Sequence, residues 1–309
     1  MGFAPVEIGS RFASELGVEW EETVCLLCGC ARWTHVVEAP DRAEGGSGLW
    51  FAVVRCVDCG LCFTNPRPSR QTISRFYPSH YQPHRLKSKR GGVRLGSSRS
   101  PRKWLKWHGQ GRLLDFGCGG GSFVERMARQ GWQVTGIDMS ENAVRRVRDE
   151  LGLPALVGTL PHPELSPESF DVVTMWQSLE HVHDPLGVLR QARRLLVPGG
   201  KLIVAVPNIL SLPFRWFGPA WYGLDLPRHL THFDPQTLSG MLQRAEFDIQ
   251  SIKMIRHSGW LRSSARLAAA SRQGPRWRWW LRNKPFSRLA SWYSYLCQMG
   301  DCILAEAVK

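Results

Sequence analysis

No run of about 18 apolar residues occurs anywhere in this chain, so no membrane-spanning helix is expected. The first stretch, 1–20, carries Glu7, Glu15 and Glu19 and lacks the basic-then-apolar layout of a secretion signal. A cytoplasmic protein is expected. Thiols stay reduced there, so the nine cysteines are not expected to pair as disulfides. Acids are scarce and unevenly placed: none stands between Asp58 and Asp115, and the net charge is +14. Nine Lys or Arg residues lie from Arg85 to Lys106 among Gly, Ser and Pro. That composition suits a solvated linker, and it would also attract an anionic partner. With 43% hydrophobic residues in 309, the chain can bury a full α/β core and has room for a second small module.

The most informative stretch is Leu113-Leu114-Asp115-Phe116-Gly117-Cys118-Gly119-Gly120-Gly121. An apolar run ends in an acid, glycines follow at alternate positions, and a helix is expected from about Ser122. A strand delivers the acid to its C-terminal edge, and the glycines let the backbone pass close to a ligand. The helix start aims N–H groups at the same place. A carboxylate two residues before the first glycine would repel a pyrophosphate and suit an ammonium group. That favours S-adenosylmethionine (SAM) over NAD, whose G-x-G-x-x-G turn would need glycine where Ser122 stands.

Downstream, alternating patterns predict strands over 133–138, 155–157, 170–175 and 201–206. Helices are expected over 140–150 and from Pro185 to 196, the latter opened by Asp184 as N-cap. Such alternation implies a parallel sheet covered by helices.

Near the N-terminus, Cys25-Leu26-Leu27-Cys28-Gly29 and Cys56-Val57-Asp58-Cys59-Gly60 form two C-x-x-C-G pairs. Two such knuckles present four thiolates tetrahedrally, so Cys25, Cys28, Cys56 and Cys59 are expected to hold a structural zinc. The intervening residues are expected to form the strands of a zinc ribbon. Cys30 and Cys62 are then surplus, available for packing or for contacts behind the ligands.

These segments resemble the class I SAM-dependent methyltransferases. The resemblance is carried by the glycine loop, FDVVTMWQSLEHVHDP (170–185), LLVPGGKLIVAVPN (195–208) and PRHLTHFDPQTLSGMLQRAEF (227–247). Upstream, the second knuckle runs into Asn65-Pro66-Arg67-Pro68, an expected helix from Ser69 to about Phe76, and the pair Tyr77 and Tyr81, as in methyltransferases with an N-terminal zinc ribbon. The resemblance spans about 22–260. It implies a Rossmann-like seven-stranded sheet with an antiparallel last strand, which 300–308 would supply. The expected organisation is a zinc-ribbon module at 22–66 and a helical, basic linker at 67–108. A SAM-dependent methyltransferase domain follows at 109–309, with a basic, Trp-rich insertion at about 260–296.

In such a sheet, ligands gather at the strand C-termini. Asp115, Gly117, Gly119 and Gly121 are then expected at the methionine end of SAM, Asp138 at the ribose and Met139 against the adenine. Thr159 and Leu160 should edge the adenine. An acid that many relatives carry near Thr159 is missing. Trp176 and Gln177 should lie where cofactor meets acceptor. His229 and His232 are the candidate bases, with His181 read as shaping its motif. Phe214, Trp216, Phe217, Trp221 and Tyr222 read either as an acceptor lid or as core.

Arg262 to Arg288 holds eight Lys or Arg residues with Trp277, Trp279 and Trp280 among them. This suits a lid helix whose arginine stems cover the rings, or a peripheral membrane or anionic-substrate contact. The expected activity is methyl transfer to oxygen or carbon of a small-molecule acceptor, such as a sugar, polyketide or lipid-like compound. An RNA methyltransferase would suit the ribbon and the charge. However, the sequence after the fourth strand of the domain, Met175-Trp176-Gln177-Ser178, lacks the Asn-Pro-Pro-Tyr pattern that amino methylation of bases favours. A non-catalytic SAM-fold interaction module is the third reading.

Overall fold

A computed structural model describes residues 17–42, 46–77, 111–271 and 276–309, with the side chains of 276–278 excluded. The basic stretch 85–106 and Tyr81 lie outside the described residues. The strand Arg112–Phe116 (β6) carries Leu113 and Leu114 with no exposed surface, as a strand covered on both faces requires. Around it a seven-stranded sheet contains Gln133–Asp138 (β7), Ala155–Val157 (β8), Phe170–Trp176 (β9), Leu196–Pro207 (β10), Asp248–Ile255 (β12) and Cys302–Val308 (β13). The spatial order is β12-β13-β10-β9-β6-β7-β8. β6 pairs in parallel with both β7 and β9, while β13 runs antiparallel to β10 and to β12. The expected antiparallel last strand is therefore present, set between two neighbours. The chain leaves β6 toward β7 and β8 and later returns to its other side with β9. The β6/β9 boundary is thus the switch point, where such sheets open a crevice at their carboxyl ends.

Helices Ser122–Ala128 (α1), Glu141–Leu151 (α2), Pro185–Leu195 (α3) and Pro235–Arg244 (α5) cover the sheet. Their limits follow local chemistry. Ser140 accepts from the Ala143 amide at 3.3 Å to open α2. Asp184 accepts from the Gly187 amide at 2.8 Å ahead of Pro185 in α3. Asp234 and Thr237 close a reciprocal cap on α5.

The N-terminal segment forms a hairpin of Trp33–Pro40 (β2) and Trp50–Cys56 (β3), with Cys62–Thr64 (β4) added antiparallel. A fourth strand comes from far along the chain: Thr231–His232 (β11) pairs with β4, His232 opposite Cys62. A separate pair joins Trp20–Glu21 (β1) to Arg67–Pro68 (β5). The helix expected from Ser69 is only a short 3-10 turn, Ile73–Phe76, because Arg67 and Pro68 are held extended against β1.

The aromatic insert resolves mainly as core. Leu212–Phe217 (α4) and the turns after it bury Phe217 and Trp221 with Phe51, Val53 and Phe76 of the N-terminal segment and Leu261 of the helix Ser258–Ala270 (α6). Tyr222 stays partly exposed.

Arg228 ties these parts together. Its side chain is 1% exposed and donates to Asp41 Oδ1 at 3.0 Å and to the Phe76 carbonyl at 2.9 Å. It also donates to Asp225 Oδ1 at 2.7 Å and to the Leu226 carbonyl at 3.2 Å. Burial opposes the guanidinium charge, but Asp225 and Asp41 outweigh it and hold the pKa above its usual value. Replacing Arg228 with Met should lower unfolding free energy by about 3 kcal/mol, because the buried Asp41 and Asp225 carboxylates lose the guanidinium that pairs with both. Chemical denaturation of the two proteins measures this directly.

Candidate active site

β6 ends in Asp115, 2% exposed, whose Oδ1 accepts from the Thr174 hydroxyl of β9 at 2.6 Å. The neighbouring strand thus fixes the carboxylate at the switch point. The chain then turns through Gly117 with φ of 73°, and a Cβ there would stand 2.5 Å from Cβ of Ser178. Gly121 has φ of 76°, and its Cβ would meet Val147 at 2.7 Å. Only glycine meets both demands, so the loop lies flat between β9 and α2. Asp138, at the end of β7, accepts from the Gly119 amide at 2.8 Å through Oδ2 and from the Ser140 amide at 2.9 Å through Oδ1. Its carboxylate therefore braces the glycine loop as well as standing at the strand end.

The other expected cofactor residues lie along the same edge. Met139 follows Asp138 and is 72% exposed. Thr159 is exposed and Leu160 buried after β8. Trp176 closes β9 with its ring edge-on to Phe123 at 5.3 Å. Gln177 takes a left-handed backbone, φ 54°, and donates to Cys302 Sγ at 3.1 Å.

Directly after Gln177 the chain makes the short turn Leu179–His181, which meets the segment 222–230. His229 and His181 pack edge to face at 4.6 Å. His229 Nδ1 lies 3.0 Å from the Gly223 carbonyl, which selects the tautomer with a proton on Nδ1 and leaves Nε2 as acceptor. Nε2 faces Glu180 at 3.9 Å and Asp225 at 4.0 Å. Glu180 has no exposed surface, and neither carboxylate oxygen has a hydrogen-bond partner among the described residues. Burial pushes its pKa up to about 8, and burial pulls His229 down to about 4. At neutral pH the pair is thus a protonated acid beside a neutral imidazole. Asp225 is held near 2: burial opposes its charge, but Arg228 and His229 favour it.

Tyr77 completes the cluster, its hydroxyl 3.0 Å from His181 Nδ1. Burial, reinforced by Asp225, keeps that phenol protonated well above its ordinary range. His232 lies apart from the acids. Its Nε2 is 3.1 Å from the Thr64 hydroxyl, within the seam where β11 joins β4. His229 and His232 come no closer than a ring separation of 6.4 Å. Glu180 lies in the 170–185 motif and Arg228 in the 227–247 motif, but neither pattern says that the two meet, and Asp225 carries no local signal. They converge only because segments near 41, 77, 180 and 228 meet.

The knuckles bring Cys25, Cys28, Cys56 and Cys59 together as a set that could hold a metal ion. Sγ of Cys25 and Cys59 are 3.3 Å apart, and those of Cys28 and Cys56 are 3.5 Å apart. Four thiolates around zinc would stand about 3.8 Å from one another, given the usual zinc–sulfur length. The donor set and spacing therefore fit zinc. The two turns repeat one geometry: the Gly29 amide donates to the Cys25 carbonyl and the Gly60 amide to the Cys56 carbonyl. A second convergent set, Glu180, His181 and His229, places one donor atom from each within 4.8 Å of the others.

The chain is similar to known methyltransferases. A family model described as a methyltransferase domain matches residues 79–252. The ubiquinone biosynthesis O-methyltransferase of Xanthomonas oryzae pv. oryzae is 36% identical over 171 residues, covering 51% of this chain and 71% of the relative. Its counterpart in Xanthomonas campestris pv. campestris is 34% identical over 170 residues, with the same shares covered. Among solved structures, a SAM-dependent methyltransferase from Mesorhizobium loti aligns at a TM-score of 0.47 and 19% identity, over 67% of this chain and 95% of that one.

A mixed seven-stranded sheet with an acid-and-glycine loop at its switch point, together with the family match, defines a class I SAM-dependent methyltransferase. More than half of the sequence falls within the matched region, and the chain belongs to the methyltransferase-domain family.

Proposed function

We propose that the enzyme methylates a hydroxyl oxygen of a small-molecule acceptor, using His229 to take the hydroxyl proton. The observation that carries this reading is the buried His229 Nε2, unprotonated and facing Glu180, directly beyond the strand end that carries Trp176 and Gln177. The relatives named as O-methyltransferases support oxygen over carbon.

SAM, when bound, supplies the methyl group and its own sulfur leaving group. Asp115 receives the ammonium of the methionine moiety, with Gly117, Gly119 and Gly121 leaving the backbone open beside it. Asp138 accepts from the ribose, while Met139, Thr159 and Leu160 border the adenine. Trp176 and Gln177 wall the passage between cofactor and acceptor. His229 Nε2 accepts the acceptor's proton as its oxygen attacks, and Gly223 steadies the imidazolium through Nδ1. Asp225, ionised and 4.0 Å from Nε2, stabilises that charge by proximity. Glu180 is closed to solvent, and His229 keeps a small exposed surface. His232 serves the seam with β4. The four ribbon cysteines hold one zinc in a closed site with a structural role.

A second reading rests on the convergence of Glu180, His181 and His229. A divalent cation there would lower the pKa of an acceptor hydroxyl in place of the base.

Asp115→Ala should abolish SAM binding in calorimetry, whereas retention of wild-type affinity would remove the carboxylate from the cofactor site. Metal analysis should find about one zinc per chain, as a four-thiolate site requires. Cys56→Ser should lose that zinc and the order of the N-terminal hairpin, since metal binding and folding are linked. His229→Ala should keep SAM affinity and lose turnover by about 10²-fold or more. Turnover abolished by chelation and restored by one divalent ion, with the ribbon zinc retained, would favour the cation. Full activity in His229→Ala would eliminate the base. A protein that binds SAM but methylates RNA alone would overturn the acceptor class.

A further inference from the structure

Between β12 and β13 lies an insertion of α6, the 3-10 segment Arg276–Arg282 and the helix Lys284–Leu296 (α7). α7 is turned inside out. Its inward face carries Ser287, Ala290, Ser291 and Ser294, all buried and spaced three and four residues apart. The serines return hydrogen bonds to the carbonyls of Lys284, Arg288 and Ala290. Two arginines seal the same face: Arg262 donates to Ser287 at 3.1 Å and Arg256 to Ser291 at 3.3 Å.

The large apolar side chains face outward. Leu289, Tyr293 and Leu296 are 70%, 58% and 72% exposed, with Phe286 and Trp292 nearly half exposed beside them. Positions 286, 289, 293 and 296 form one continuous stripe along the helix. An ordinary surface helix points such a stripe at the core. This one is held with the stripe outward: Ala290 shares a cluster with Leu261, Ala265 and Ala268 of α6, and Ser287 and Ser291 are bonded by the two arginines. Trp279, 66% exposed, extends the apolar surface beyond the helix.

Charge selects the occupant. From Asp248 to Asp301 the sequence contains no acid between those two residues, and it contains ten Lys or Arg. Arg282, Lys284 and Arg288 are exposed along the stripe. The Arg256 guanidinium lies 3.9 Å from the Trp292 ring centroid. A second copy of the chain would bring like charges together across the stripe. A nucleic acid would use the rings for stacking but leave Leu289 and Leu296 against water or phosphate. An anionic bilayer takes both: aliphatic and aromatic side chains enter the headgroup boundary, and the basic rim meets the lipid phosphates.

We propose that the outward face of α7, with Trp279 and its rim of arginine and lysine, is a docking surface for an anionic lipid bilayer. The surface backs onto the acceptor side of the enzyme. α6 supports α7 from behind, and its Ser264 hydroxyl accepts from the Tyr222 amide at 2.9 Å. Trp260 packs edge to face on Tyr222 at 5.7 Å. Docking through α7 would therefore set the segment 222–230 close to the membrane without inserting it.

Vesicle flotation of the full chain tests this, with phosphatidylcholine alone and with phosphatidylcholine plus phosphatidylglycerol. The wild type should float with the anionic vesicles and much less with the neutral ones. Leu289→Glu with Leu296→Glu should bind the anionic vesicles at least about tenfold more weakly, since two exposed leucines lose their apolar burial. Arg282→Ala, Lys284→Ala and Arg288→Ala together should weaken binding by on the order of 10²-fold. These side chains are solvent-exposed, so both variants should keep the wild-type melting temperature and SAM affinity. Three results would each overturn the proposal. One is a wild type that ignores anionic vesicles. Another is a wild-type dimer that the leucine variant converts to monomer without any vesicle binding. The third is binding confined to single-stranded RNA and lost in Trp292→Ala.

Discussion

One buried cation organises the loop 222–230 and the segments packed around it. Arg228 reaches Asp41 in the turn of the N-terminal hairpin, the last carbonyl of the turn ending at Phe76, and Asp225 in its own loop. Each contact is worth little alone, and desolvating the guanidinium is expensive. Together they leave the segment 222–230 one arrangement, and that arrangement puts His229 beside Glu180 and His181. The electrostatics follow from it. Asp225 remains charged because Arg228 pairs with it, whereas burial drives Glu180, which has no Arg or Lys partner among the described residues, toward its protonated form. Two carboxyl groups near one imidazole thus differ in charge for reasons set by their neighbours.

Much of the sheet was legible in the sequence because its signals are local. The glycine loop, the acids at the ends of β6 and β7 and the cap at Asp184 each depend on residues a few positions apart. The last strand was expected from the family resemblance, and Cys302–Val308 supplies it. The convergence of Glu180, Tyr77, Asp225 and Arg228 was not legible, because they are scattered over some 150 residues of sequence and the motifs that hold Tyr77, Glu180 and Arg228 do not say that they meet. The helix expected at Ser69 failed for a related reason. Residues 67–69 have their backbone and side-chain partners at 19–21, and a distant pairing outcompeted a local helical pattern. Periodicity in 284–296 indicates a helix with an apolar stripe, and by itself implies that the stripe faces inward. Only the serines and alanine on the opposite side, seen packed on α6, reverse that reading.

The N-terminal hairpin and the catalytic domain are joined by more than a linker. Phe51, Phe217, Trp221 and Leu261 share one apolar cluster, so neither the hairpin nor the insert has a complete core without the other. The Thr64 hydroxyl donates to the His229 carbonyl at 2.8 Å, which ties β4 directly to the cluster of His229, His181 and Glu180. Loss of the knuckles would therefore be felt at His229 through backbone position.

The pairing of β4 with β11 also fixes a sequence of events during synthesis. Thr64 and His232 are separated by 168 positions. At translation speeds of roughly 5–20 residues per second, the first three strands of the hairpin wait on the order of ten seconds for the fourth. During that interval the edge of β4 is open and the apolar side chains beneath it have no cover. The two C-x-x-C turns are complete well before then, being local to residues 25–62. Metal captured by them would hold the nascent hairpin in register through the wait, giving the ribbon a task in biogenesis that ends when β11 arrives.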